Sequence, residues 1–181
     1  MSNLRTIRPV TFNTFTTACL LAFATPGHSA PQAEKNRTFS ENTNVAEEEF
    51  LAALTAVDAA QLELQQGNAA VYKALWSRGD DVTLVGGFGG AVEKGWERVS
   101  QRLDWAAAQF SKGTNTIERI ITCADGTLGY IVQIEHIRFQ VPGQNKEATR
   151  DYRVTMLFRR EPEGWRIVHR HADSQMMKQA P

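Results

Sequence analysis

From Thr114 to Asp173 the chain alternates apolar and polar residues in four runs separated by turn signatures, and a period of two over that length demands antiparallel sheet. The runs are Thr114 to Cys123, Leu128 to Phe139, Thr149 to Arg160 and Trp165 to Asp173. Asp125-Gly126 is a strong hairpin signal, Pro142-Gly143 is a second turn, and Glu161-Pro162-Glu163-Gly164 is a third. Upstream the period changes to that of a helix. Phe50, Leu51, Leu54, Val57, Gln61 and Leu62 predict an amphipathic helix from near Val45 to about Gln66, ended by Gly67. Asn68 is placed to cap a short second helix through Leu75 and Trp76. Arg78-Gly79-Asp80-Asp81 reads as a turn and Val82 to Val85 as a strand leading into Gly86-Gly87-Phe88-Gly89-Gly90. A third helix, Trp96 to Phe110, carries the stripe Trp96, Val99, Leu103, Ala107 and Phe110 and closes at Lys112-Gly113. Three helices followed by a four-stranded meander predict an α+β fold with helices covering one face of a sheet.

The 181 residues suit one domain, expected over 45–173, with a polar, patternless linker at 31–44 and a disordered tail at 174–181. Charge is balanced, 20 Lys and Arg against 20 Asp and Glu, so the electrostatic footprint of a nucleic-acid or membrane-surface binder is absent. Residues 1–30 hold Arg5 and Arg8, no acid, and the apolar core Ala18 to Ala24. That is the layout of a secretory signal, with cleavage expected after Ala24 or Ala30 and a secreted or periplasmic destination. A Thr-rich, acid-free start also fits an organelle transit peptide, and a cytoplasmic protein if the segment is no signal. Cys19 would leave with the signal. Cys123 stands alone in an apolar run and is expected to be a buried structural thiol.

The turns permit a register. With Arg160 opposite Trp165, His169 faces Met156, His171 faces Val154 and Asp173 faces Tyr152, and directly opposed residues share a face. Tyr152, Val154, Met156, Phe158, Ile167, His169 and His171 then point inward, and Arg153, Thr155, Arg159, Arg166 and Arg170 outward. Around Asp125-Gly126, Ile121 is expected opposite Tyr130 and Ile117 opposite Ile134. Setting Ile134 beside Val154 puts His136 beside Tyr152 and pairs Glu135 with Arg153 on the outer face. The inward face becomes an apolar pocket with a polar end. Its expected ligand-binding residues are Tyr130, His136, Tyr152, Met156, Phe158, His169, His171 and Asp173, and His136, His171 and Asp173 are the acid–base candidates. A one-residue slip would invert this assignment.

Three segments carry a family likeness: Trp76-Ser77-Arg78-Gly79-Asp80-Asp81-Val82-Thr83, then Gly95-Trp96-Glu97-Arg98-Val99, and above all the closing hairpin. That hairpin reads Arg153-Val154-Thr155-Met156-Leu157-Phe158-Arg159-Arg160 and Gly164-Trp165-Arg166-Ile167-Val168-His169-Arg170-His171. Over 45–173 the chain resembles the nuclear-transport-factor-2-like superfamily, in particular the SnoaL-like domains related to ketosteroid isomerase and to the calmodulin-dependent kinase association domain. The resemblance implies a cone of curved, cystatin-like antiparallel sheet with the helices on its concave face, and a homodimer. It does not imply one activity, because the superfamily mixes enzymes with non-catalytic modules. The isomerase base follows the strand that here reads Val82 to Val85, where this chain has Gly86-Gly87, so steroid-isomerase chemistry is not carried over.

Two functions from different classes follow: a non-catalytic domain binding an apolar small molecule, or a small isomerase, cyclase or lyase using the pocket histidines. No cofactor is expected. Gly86 to Gly90 lacks the pattern of a nucleotide-binding loop and reads as a pocket lip. His169-x-His171 would chelate a metal only if Asp173 or His136 converged on it, and no second motif supports that. Trp105 falls off the helix stripe and is a candidate dimer contact.

Overall fold

A computed structural model describes residues 30–174, with side chains from Val45 onward. The expected signal, its cleavage points and the tail beyond Ser174 lie outside the described residues. Helix α1 (Ala30–Gln65) begins earlier than the expected start near Val45 and takes in the segment 31–44 that the sequence presents as a linker. Gly67, at φ +101°, ends it. Helix α2 (Ala70–Ala74) follows, its Ala70 N–H donating to Asn68 Oδ1 at 3.1 Å. Next come β1 (Thr83–Val85), β2 (Glu93–Lys94) and α3 (Trp96–Ala107), then the four long strands β3 (Ser111–Ala124), β4 (Leu128–Gln140), β5 (Glu147–Glu161) and β6 (Gly164–Asp173). The third helix thus stops three residues short of Phe110, which is still buried with Val99, Leu103 and Ala107 as its stripe requires.

The expected meander is present as part of a larger sheet. Its order is β2-β1-β6-β5-β4-β3, with β1 lying parallel to β6 and antiparallel to β2. The helices cover one face of this curved sheet, and the core lies between them. The Asp125-Gly126 turn closes as read. One Asp125 carboxylate oxygen accepts from the backbone N–H groups of Thr127 and Leu128, and these bonds hold the carboxyl below its ordinary range. A two-oxygen contact of Arg119 with Asp58, at 2.7 and 2.9 Å, ties α1 to β3.

The register departs from expectation in two places, and both move side chains through the sheet. Arg160 does face Trp165, and Phe158 faces Ile167. A bulge then intervenes at Val168, so that Leu157 faces His169, Met156 faces Arg170, Thr155 faces His171 and Arg153 faces Asp173. A bulge puts two residues against one and reverses the alternation beyond it. The β4–β5 pairing is also offset by one: Glu135 faces Tyr152 and Ile134 faces Arg153. The expected outer-face pair of Glu135 with Arg153 is therefore absent; Arg153 instead holds Asp173, at 2.6 Å. Across Asp125-Gly126, Ile121 faces Val132 and Cys123 faces Tyr130. Cys123 is exposed on the outer face, not the buried thiol expected, because the shifted pairing turns it away from the helices.

Candidate functional site

The inward face of β4 carries Ile131, Gln133, Glu135, Ile137 and Phe139, all buried, and that of β5 carries Tyr152, Val154, Met156 and Phe158. Beyond the bulge, β6 sends Arg170 and Ala172 inward. Glu135 is fully buried and Arg170 is 11% exposed along its side chain, and they meet as a fork. Arg170 Nη1 donates to Glu135 Oε1 at 2.8 Å and Nη2 to Oε2 at 2.7 Å. Gln133 Nε2 adds a bond to Oε1 at 2.7 Å, and Nη1 also reaches Met156 Sδ at 3.5 Å. Burial alone would raise the Glu135 pKa, but the guanidinium and these bonds outweigh it and leave the carboxyl below its ordinary value. Burial would lower the Arg170 pKa, but the carboxylate outweighs it and raises it instead. Both groups therefore stay charged and balance each other.

Above this pair lies a cavity of about 60 Å³. Gln61 and Gln65 reach it from successive turns of α1, Tyr72 from α2, Leu103 and Ala106 from α3, and Tyr152 from β5. Gly86, Gly87 and Phe88 form one wall, where the sequence placed a lip. Gly87 is glycine of necessity, since a Cβ there would lie 2.6 Å from the Tyr152 ring. Phe88 packs edge-on against Trp105 at 5.5 Å and tilted against Phe110 at 5.3 Å. Arg102 also lines the cavity, donating to Gly89 O at 2.6 Å with its guanidinium over Trp105.

The polar atoms of this cavity are mostly without partners. Among the described residues, no protein group hydrogen-bonds the Tyr72 hydroxyl, the Tyr152 hydroxyl, either end of the Gln61 amide or the Gln65 carbonyl oxygen, although all four residues are at least 97% buried. Burial pushes the Tyr72 pKa up to about 12, and Arg170 is near enough to offset this only in part. Tyr152 is raised for the same reason, with Arg150 opposing. Arg170, Arg150 and Glu135 lie near these groups without reaching hydrogen-bond geometry to the unpartnered atoms. Buried polar groups in folded proteins are nearly always bonded, so a cluster of orphans around one cavity needs an explanation.

Of the residues expected at the pocket, Tyr152 lines the cavity, Met156 lies inward against Arg170, and Phe158 is deep in the core against Phe50. Tyr130, His136, His169, His171 and Asp173 lie on the opposite face. His136 Nδ1 is 2.8 Å from Asp151, and His169 Nδ1 is 2.7 Å from Thr83 Oγ1. Burial and the nearby His171 lower the His169 pKa. Arg170, expected outside, is inside. Sequence reasoning also missed Glu135, Gln61, Gln65 and Tyr72 as a group. A signal existed: Gln133-x-Glu135 is in phase with Ile131, Ile137 and Phe139, and a buried acid predicts a cation arriving from a neighbouring strand.

Three solved structures show the kind of fold this is. A putative dehydratase of the NTF2-like family from Streptomyces avermitilis superposes with TM-score 0.62 at 19% identity, over 75% of this chain and 99% of that one. A nuclear transport factor 2-like superfamily protein from Salmonella enterica gives 0.64 at 17% identity, over 76% and 96%. A ketosteroid isomerase-like protein from Erwinia carotovora gives 0.55 at 15%, over 76% and 98%. No curated protein matches the chain. At these identities the likeness concerns the fold. The model of the SnoaL-like domain matches residues 53–177, well over half of the sequence, which makes this protein a member of the SnoaL-like domain family.

Proposed function

We propose that this domain holds a small molecule in the cavity bounded by Gln61, Gln65, Tyr72 and Tyr152 and does not transform it. The observation that carries this reading is the pairing of opposites: the cavity's polar groups are unpartnered, whereas Glu135 and Arg170 are tied to each other. A general base must be free to accept a proton at a pH near its own pKa. Both Glu135 oxygens already accept hydrogen bonds, and its pKa is depressed, so it is a poor base. Tyr72, at about 12, keeps its proton near neutrality. The histidines that would have supplied acid–base chemistry are across the sheet.

Native mass spectrometry of the protein purified from its source is the direct test. A bound small molecule is expected, released unchanged on denaturation and lost from a Gln61→Ala, Tyr152→Phe double variant. Recovery of a chemically altered product, or of wild-type protein with nothing bound, would overturn the reading.

The opposite face fits a second copy of the chain. Cys123, Tyr130, Leu157 and His169 line up across four strands there, and Ile121, Leu128, Tyr130 and Leu157 are all exposed apolar residues. A contiguous apolar patch of this kind marks an interface. Light scattering at micromolar concentration is expected to give twice the chain mass, and Leu157→Arg is expected to halve it; a monomeric wild type would rule the dimer out.

A further inference from the structure

We propose that the cavity selects an uncharged ligand whose buried end both donates and accepts hydrogen bonds, as a carboxamide or lactam does, and rejects carboxylates and amidinium ions of the same shape. This rests on the cavity being a binding site, and it follows from what the cavity offers. The unpartnered set is mixed. The Gln61 amide nitrogen and the two tyrosine hydroxyls can donate, while the Gln61 and Gln65 carbonyl oxygens can accept. Gln61 and Gln65, four residues apart, project from the same face of α1, so both acceptors meet a ligand from one side. Tyr152 approaches from the sheet, opposite Glu135 in the β4–β5 ladder.

Charge restricts the ligand further. The buried charges at the cavity floor already neutralise each other through two short bonds. An anion pushed among these groups would meet the Glu135 carboxylate, and a cation would meet Arg170; Arg150, the cation nearest Tyr152, is an exposed residue over the Phe88 ring and not a group of this floor. Burying an uncompensated ion costs far more than burying a hydrogen-bonded amide. Arg102 at the wall is a cation, but it already donates to Gly89 O and stacks on Trp105, placing its charge at the lip. The remaining lining, Leu84, Leu103, Ile137, Phe88 and Phe110, is apolar, and with about 60 Å³ the cavity encloses only the polar end, so that a flat apolar body must extend outward along Phe88 at the lip.

Benzamide, benzoate, benzamidine and ethylbenzene have closely similar shapes and differ in the property at issue. Each is titrated into the full 181-residue chain at pH 7 while the side-chain amide signals of Gln61 and Gln65 are followed by nuclear magnetic resonance. Benzamide is expected to bind at least tenfold more tightly than the other three and to move both amide signals. Tyr152→Phe keeps the ring that packs by Phe88 and is expected to weaken benzamide about fivefold or more while leaving ethylbenzene unchanged. Benzoate, benzamidine or ethylbenzene binding as tightly as benzamide would overturn the selectivity and leave the binding cavity standing. Silence from all four probes would overturn both.

Discussion

Arg170→Ala is expected to destabilise the domain by about 3–5 kcal/mol, because it leaves the Glu135 carboxylate buried without its cation. Glu135 has no solvent-exposed surface, so its charge is compensated by Arg170 and its hydrogen bonds and not by bulk water. For a domain of this size the melting temperature should fall by about 10–20 °C. The pH dependence gives a separate signature. In the wild type the folded pKa of Glu135 is below its ordinary value, so its contribution is present above the carboxylate range and is lost as pH falls through the folded pKa. In the variant, burial without Arg170 raises that pKa, so the loss should shrink as pH drops from 7 towards 5, where protonation removes the buried charge. Urea unfolding at the two pH values measures both effects. Combining Arg170→Met with Glu135→Leu should recover most of the loss, since two apolar groups of similar size need no pairing. A loss below about 1 kcal/mol, equal at both pH values, would show that the pair is not buried as described.

Phe50→Ala should cost about 3–5 kcal/mol through the cavity it leaves. Phe50 is 1% exposed and stands where α1 meets the sheet. Its ring lies edge-on to Phe158 at 5.2 Å and tilted against Trp165 at 4.8 Å. Gly129 on β4 makes room for it, since a Cβ there would come within 2.7 Å of the ring tip. The neighbouring Leu51 belongs to the same predicted stripe but is 49% exposed, so Leu51→Ala should change stability by less than about 0.5 kcal/mol. Equal losses for the two variants in chemical denaturation would show that the helix packs on a different face.

The contrast between Phe50 and Leu51 states how far pattern alone reaches. Periodicity identified a helix and most of its buried positions, but a stripe written with both residues is wider than the contact that forms. Gln61 shows the reverse. It sits on the stripe as a polar residue, and its burial with Gln65 became visible only when α1 was placed over Glu135. The site residues legible beforehand were those whose local signal was unambiguous, such as Tyr152 and the glycine lip.

The sequence by itself determined the order of the three helices, β1 and the four long strands, though not the short β2, together with the α+β class, the Asp125-Gly126 and Gly164 turns, and the pairing next to the last turn, from Arg160 and Trp165 to Phe158 and Ile167. These depend on interactions a few residues apart, which a local pattern encodes. The direction in which His169, Arg170 and His171 point was decided by tertiary structure. Both parities of β6 carry plausible inward residues, so alternation cannot choose between them. The choice is made at Val168. There, β6 also bonds to the chain around α2 and β1, through Ser77 N–H to Ile167 O and Thr83 to His169, and the bulge brings Arg170 round to the buried carboxylate of Glu135. One residue of slip separates a histidine-lined pocket from one floored by an ion pair. In the second, two buried charges 35 residues apart in sequence are matched, whereas the slipped register would leave the Glu135 carboxylate without its cation, and no local pattern contains that requirement.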